Sequence, residues 1–477
     1  MRLERLHAGA VAVALIAIGG CKVGPNYRVP SMPAPPAYAG DGHNGNWTAA
    51  QPADAKDRGA WWEIYGDAEL NDLEQRCAKA NQNIAAALHV YEQAHAIVRE
   101  NRASLFPTVS IGADASRNRV AGNKPLRTSA ASYWDFLIPL DISWEPDLWG
   151  GIRRQIESST AAAQASAADL ADSRLILQGL FAVTYLQLRG LDLQAQLLRS
   201  TIDTYSQAAQ LTQSRYVGGL ATRSDVAQAQ AQLEATRAQL VDLSVQRQQY
   251  EHALAVLVGA AATDFIIPEK ALAGDPPSIP TGVPSELLQR RPDIAAAERR
   301  VAAANAQIGV AQAAFYPQIN LGATGAIESS AISRLFNSGS AEWSAGPSAS
   351  QILFDAGRRR AQMEAAVAAR EQATALYRQQ VLSSFRDVED QLSALRVLDE
   401  EAGAQGRAVN AAHQSVDLSL IRYKGGIATY LEVLTNQTIL LNDQRAAAAL
   451  VARRIVASAQ LQIALGGGWS TAQLPAN

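Results

Sequence analysis

Asn83-Ile84-Ala85-Ala86-Ala87, running on to Phe106-Pro107-Thr108-Val109-Ser110-Ile111-Gly112, returns 210 residues later as Asp293-Ile294-Ala295-Ala296-Ala297 and Tyr316-Pro317-Gln318-Ile319-Asn320-Leu321-Gly322. Two further echoes keep the same order. Gly151, Arg153 and Arg154 return as Gly357, Arg359 and Arg360. Arg215-Tyr216-Val217-Gly218-Gly219-Leu220-Ala221-Thr222 returns as Arg422-Tyr423-Lys424-Gly425-Gly426-Ile427-Ala428-Thr429. Self-similarity at so long a period means one structural unit present twice.

Outward from that stretch the order of elements can be read. Trp61-Trp62 opens a helical pattern through Leu70, Leu73 and Ala78, and a second helix follows Asn81 to about Ser104, where Pro107 stops it. The period then changes from helix to strand. Val109, Ile111, Ala113 and Ala115 alternate with hydroxyl, glycine and acidic residues, and Gly122-Asn123-Lys124-Pro125 marks a turn. In the returning segment Trp134, Phe136, Ile138, Leu140, Ile142 and Trp144 alternate with Asp135, Asp141, Ser143 and Glu145. One face is apolar and aromatic, the other acidic. The second copy predicts the same hairpin in Ile319, Leu321 and Ala323 and then from Trp343 to Phe354.

No proline interrupts the chain between Pro146 and Pro268 or between Ser348 and Leu474. Spacings of three, four and seven join Phe181, Leu188, Leu191, Leu198, Ile202 and Tyr205, and likewise Val381, Phe385, Val388, Leu392 and Leu395, which is the seam of coiled-coil packing. Each block breaks at Gly218-Gly219 or Gly425-Gly426, where glycine ends a helix in a conformation other residues resist. Each is therefore an antiparallel hairpin whose first arm, at about 1.5 Å per residue, reaches on the order of 100 Å. The organisation predicted is a first repeat over 61–267, a proline-rich linker over 268–284, a second repeat over 285–465 and a tail over 466–477.

The N-terminus carries Arg2 and Arg5, an apolar stretch from about Ala8 to Ile18, and then Gly19-Gly20-Cys21. That is the layout of an export signal over residues 1–20, and its ending resembles a lipoprotein signal that leaves Cys21 as the acylated N-terminus. Lys22 in the next position favours sorting to the outer membrane. Residues 21–60, rich in proline, read as an anchored, extended arm against the body. Only Cys77 then remains, so no intramolecular disulfide is available. The net charge is −3, and the loss of Arg2, Glu4 and Arg5 with the signal takes it to −4, which argues against a nucleic-acid partner. No later segment offers about twenty unbroken apolar residues; if this chain crosses a membrane it does so as strands.

Four strands cannot close a barrel, yet unpaired backbone groups cost several kcal/mol each in hydrocarbon. The chain must therefore oligomerise to span. Two copies give eight strands and a filled interior, three give twelve and an open lumen. A conduit requires the larger number, with Trp134, Trp144 and Trp343 facing lipid or its interface.

These residues resemble the outer-membrane efflux channels of the TolC, OprM and NodT group. The likeness is carried by Cys21-Lys22-Val23-Gly24-Pro25-Asn26-Tyr27, by Arg290-Arg291-Pro292-Asp293-Ile294-Ala295-Ala296-Ala297-Glu298 with Phe315-Tyr316-Pro317 beyond it, and by the paired Arg-Tyr-x-Gly-Gly-x-Ala-Thr tips. The resemblance implies a mainly α fold with a β-barrel portion: a TolC-like duplication with two β-hairpins per protomer, a trimeric twelve-strand outer-membrane barrel, and long helical hairpins forming a periplasmic α-barrel. It implies a homotrimer that takes cargo from a periplasmic membrane-fusion adaptor and an inner-membrane transporter of the RND type, with passive transport and a gate at the periplasmic tip.

By the same resemblance the gate residues are Arg215, Tyr216, Thr222 and Asp225 in the first tip and Arg422, Tyr423, Thr429, Glu432 and Thr435 in the second. The family places a second acidic residue where Thr435 stands, so this chain has one carboxylate fewer per protomer. Three Glu432 side chains across a narrow bore would form a selectivity ring; the competing reading is a solvated surface carboxylate. Gly218, Gly219, Gly425 and Gly426 are the expected adaptor-docking tip. Tyr216 and Tyr423 either hold the closed state or simply pack over the last helical turn.

An enzyme has little support. The histidines of the mature chain, His43, His89, His95, His252 and His413, have no metal-ligand spacing, and no phosphate loop or nucleophile elbow is present. No metal and no cofactor are expected, apart from the covalent lipid on Cys21. The serious alternative is a lipid-anchored periplasmic adaptor or scaffold, which would have one helical hairpin rather than two.

Overall fold

A computed structural model describes residues 22–32, 60–121, 131–272, 274–277, 279 and 290–469. The signal segment, Cys21, most of the arm, the 122–130 connection, most of the linker's second half and the end of the tail lie outside the described residues.

The duplication is expressed in element lengths. Helices α2 (Gln82–Ala103) and α5 (Pro292–Ala313) have 22 residues each, α3 (Gly151–Val217) and α6 (Arg358–Lys424) have 67, and α4 (Arg223–Leu257) and α7 (Tyr430–Ala464) have 35. Before α2 the helical stretch expected from Trp61 is split. A 3-10 turn over Trp61–Tyr65 ends at Gly66, whose φ of 66° is left-handed, and Asp67 then caps α1 (Ala68–Ala80) by accepting from the Glu69 N–H.

The strands are β1 (Thr108–Ile111), β2 (Asp114–Val120), β3 (Ala131–Trp144), β4 (Gln318–Ser329) and β5 (Ala341–Ser350). β1 and β2 pair with successive stretches of β3 in one register, so the antiparallel sheet is four strands wide, in the order β1/β2, β3, β4, β5. The expectation that the last strand reaches Phe354 is corrected. Gln318, the first residue of β4, already pairs with Ser350, and Pro317 before it has no N–H to extend the ladder. Ile352, Leu353 and Phe354 are exposed connection.

Hydrophobic burial sits in the helices. α3 packs beside α2 and α5 along its first part and beside α4 and α7 along its second, while α6 runs beside α5 and α7. Trp61, Trp62, Leu73, Phe181, Tyr185 and Leu254 form a cluster where α1, α3 and α4 meet. None of the hydrophobic clusters among the described residues contains a strand residue. Among the described residues Ala326 is the one buried hydrophobic residue of the strands, so the sheet is a thin layer that no described hydrophobic cluster covers.

The described part of the arm lies on both repeats. Val23 N–H bonds the Trp149 carbonyl, and the fully buried Arg154 donates to the carbonyls of Val23 and Gly24 and to Asn26 Oδ1. Asn305 of α5 donates to the Pro25 carbonyl, and Tyr27 hydrogen-bonds the Glu298 carboxylate. Gly24, at φ 93°, passes so close to α5 that a Cβ there would meet Gly309 Cα at 2.5 Å.

Candidate functional site

The two helical hairpins turn identically in backbone. Gly219 (φ 73°) and Gly426 (φ 75°) are left-handed, and the six-residue closures Leu220 N–H to Arg215 C=O and Ile427 N–H to Arg422 C=O measure 2.7 and 2.9 Å. This is the glycine C-cap the sequence calls for. The side chains around it are not equivalent.

In the first tip Thr222 and Asp225 close a capping box: the Asp225 N–H donates to Thr222 Oγ1 at 3.2 Å, and the Thr222 N–H donates to Asp225 Oδ2 at 2.8 Å. The Asp225 carboxylate, expected among the gate residues, is therefore engaged by its own helix. In the second tip Thr429 makes no side-chain cap, and Glu432 turns away to meet Arg422 Nη1 at 2.6 Å across the glycine turn. Thr435, one turn on, bonds the Leu431 carbonyl of its own helix.

The arginines and tyrosines divide in the same way. Tyr423 is 5% exposed, packed edge-to-face on Tyr430 with ring centroids 5.5 Å apart, whereas Tyr216 is 42% exposed. Arg215 reaches from the first tip to the second, its guanidinium 4.7 Å from the centroid of the Tyr423 ring and its Nη1 donating to the Lys424 carbonyl at 3.3 Å. The Tyr423 hydroxyl is buried without a hydrogen-bond partner. Burial, and then the neighbouring Tyr423, push the Tyr430 hydroxyl up to about 12. The outer surface of the tips is apolar, with Val217, Leu220, Ile427 and Leu431 exposed beside the glycines.

At the other extreme the register sorts side chains onto two faces. Trp134, Leu140, Ile142 and Trp144 of β3 share a face with Leu321 of β4 and with Trp343 of β5, which stands opposite Gly325 and is 83% exposed. Asp114, Asp135, Asp141, Glu328 and Glu342 are on the other face, Asp141 accepting from Thr324 Oγ1 at 2.7 Å. Trp144, at the strand end nearest the helices, donates its indole N–H to the Leu105 carbonyl behind α2. No helix among the described residues is long and apolar enough to cross a membrane, and the described residues contain no cluster that could hold a metal ion.

A sheet two-faced in this way, carried on paired hairpins of equal length, has known relatives. The outer membrane efflux protein family matches residues 73–260 and 283–467. The chain belongs to that family. It is 34% identical over 447 residues to the pyoverdine export outer membrane protein OpmQ of Pseudomonas putida, covering 92% of this chain and 94% of that one. It is 31% identical over 478 residues to the outer membrane protein OprJ of Pseudomonas aeruginosa, covering 98% and 97%. Among solved structures, the outer-membrane channel OprN superposes with a TM-score of 0.87 at 30% identity, covering 94% of this chain and 100% of that one. The open state of the Neisseria gonorrhoeae MtrE outer membrane channel gives 0.81 at 26%, covering 94% and 99%. This efflux protein is an outer-membrane channel with the TolC-like fold.

Several positioning residues of the efflux protein were not singled out by sequence. Arg291, inside the Arg-Arg-Pro-Asp motif, pairs with Asp293 at 2.6 Å and donates to the Ala464 carbonyl, tying the start of α5 to the end of α7. The buried Arg189 donates to Asp192, Glu69, the Tyr185 hydroxyl and the Pro268 carbonyl, which fastens the start of the linker to α1 and α3. Glu74 is fully buried with both carboxylate oxygens unpartnered, and burial raises it to about 9. Arg291 was visible only as part of its motif, and for Arg189 and Glu74 a charged residue inside an apolar helical seam was the available signal.

Proposed function

We propose that three copies of this chain close a twelve-strand barrel and, below it, a helical conduit through which small molecules leave the cell passively. The observation that carries this reading is the sheet itself: apolar on one face, acidic and hydroxylated on the other, and open at both edges β1/β2 and β5. In hydrocarbon the open edges must pair, and only neighbouring copies can supply the missing strands. Cys21 carries the lipid that anchors the arm in the same membrane. Trp134, Trp144 and Trp343 lie against lipid or its boundary.

The gate is the second tip. Arg422 and Glu432 latch the turn of α6–α7, and Arg215, stacked on Tyr423, holds that tip against the first. Paired with Arg422, Glu432 has its charge compensated and turned from the bore while the tip is closed, and the cation-attracting ring of three carboxylates forms only when the pair opens. The first tip, self-capped through Thr222 and Asp225, is the fixed side. The exposed apolar rim at Gly218, Gly219, Gly425 and Gly426 receives a periplasmic membrane-fusion adaptor, which couples the conduit to an inner-membrane transporter of the RND type. Names such as pyoverdine export protein and solvent efflux pump protein among the relatives agree with such an assembly.

The test is conductance. Protein purified in detergent forms discrete pores in planar bilayers and migrates as a trimer; a monomer that leaves the bilayer silent would refute the proposal.

A further inference from the structure

The charges of the sheet divide by sign. All five strand carboxylates are on the polar face, whereas the two strand cations, Arg117 and Arg119, fall on the apolar face, opposite Trp134 and Ser132 respectively. Both arginines are exposed, and neither makes an ion pair among the described residues. The Arg117 guanidinium lies 5.8 Å from the centroid of the Trp134 ring, which in turn stacks on Phe136 at 5.8 Å. The following connection, 121–130, contains no acidic residue that could neutralise them.

Their height is equally defined. Trp144 marks the helix-proximal end of β3 through its bond to Leu105, so Ser132 and Trp134 are at the far end, the rim turned away from the periplasm. Arginine on a lipid-facing strand is tolerated near an interface and costly at mid-depth. A cation there gains when an anionic headgroup lies beside it, and guanidinium binds phosphate through a planar fork that ammonium lacks.

We infer that Arg117 and Arg119, with the Trp134 ring beside Arg117 at the same level of the sheet, form a binding site for the phosphate groups of a phosphorylated glycolipid in the outer leaflet. The inference rests on the barrel reading above and goes beyond it, because a conduit needs no such site. The glycolipid is favoured over a phospholipid because the site is at the outward rim, where two guanidiniums about two residues apart on one strand face match a headgroup with more than one phosphate.

The experiment uses the full-length channel in detergent, titrated with bisphosphorylated lipid A, dephosphorylated lipid A, phosphatidylglycerol or inorganic phosphate, with retained lipid read by intact-mass spectrometry. Wild type retains bisphosphorylated lipid A in preference to the other three. R117Q/R119Q binds it about tenfold more weakly, and R117K/R119K recovers only part of the loss. Equal retention of the dephosphorylated lipid by wild type, equal retention of phosphatidylglycerol, displacement by inorganic phosphate, or unchanged binding in R117Q/R119Q each overturns the site. The wild-type comparison decides the matter even if the double variant does not assemble. Pore formation in planar bilayers, recorded on the same preparations, separates failure of this site from failure of the channel reading.

Discussion

Arg422 and Glu432 face each other at 2.6 Å across the second glycine turn, while the residues at the same places in the first repeat, Arg215 and Asp225, do not meet at all. Duplicated backbone has thus been given two different electrostatic fates. One tip is closed on itself and the other is held by a pair that solvent can reach.

An exposed pair of this kind contributes about 0.2–1 kcal/mol. On the proposed gate three such pairs would sum to roughly 0.6–3 kcal/mol, a shift of about 3-fold to 160-fold in the open population. R422A and E432A are therefore expected to raise open probability in planar bilayers without lowering thermal stability, and the swap R422E/E432R to restore it. High salt should open wild type toward the variants, since it screens the pair. Gating identical in all four proteins at low salt would remove the latch.

Tyr423 separates ring from hydroxyl. Its Oη is buried without a partner, so Tyr423→Phe is expected to leave gating and adaptor crosslinking unchanged or slightly firmer. Tyr423→Ala and Arg215→Gln should both admit a large antibiotic that the outer membrane otherwise excludes, because each removes the stacking contact. A leaky Tyr423→Phe strain beside a tight Arg215→Gln strain would reverse these assignments.

Glu74 sets a pH dependence. Burial raises its carboxyl from 4.5 to about 9, so the folded chain keeps a proton that the unfolded chain releases above its ordinary value. The native state then binds more protons across that window, and stability falls as pH rises from about 4.5 to 9. Glu74→Gln removes the dependence and stabilises by roughly 3 kcal/mol at neutral pH. Apparent melting temperatures at pH 5 and pH 8 read it out: the variant should gain at pH 8 and little at pH 5, and equal gains at both would contradict the assignment.

The arm is clamped through two tight points. Gly24→Ala forces a side chain into left-handed backbone, at about 1–2 kcal/mol, and into Gly309. Arg154→Met leaves the Val23 and Gly24 carbonyls without their donor. Arg28 is already exposed, so both variants should loosen the backbone around it and speed tryptic cleavage there relative to wild type, with the helical body intact by circular dichroism. Unchanged cleavage would mean that the arm is held from elsewhere.

Much of this was legible in the chain. Alternation of Trp134 to Trp144 with aspartates, the proline-free blocks and the paired glycines are local signals with a fixed period, and they specified strands, long helices and turns, twice over. Trp61–Tyr65 and the end of β5 were misjudged at their boundaries because Gly66 and Pro317 act through backbone geometry and ladder pairing rather than through hydrophobic pattern. The buried Arg154, Arg189 and Glu74 were not distinguished from surface charges, since burial depends on which helices converge.

Period and duplication by themselves determined the elements, their order and the two-faced sheet, because these follow from steric and hydrophobic preferences of neighbouring residues. The partners of Arg422, Arg215 and Asp225 were decided only by the tertiary structure. Two turns of the same backbone shape stand in different surroundings once α3 and α4 pack against α6 and α7, and a charge settles on whichever partner that packing brings within about 3 Å.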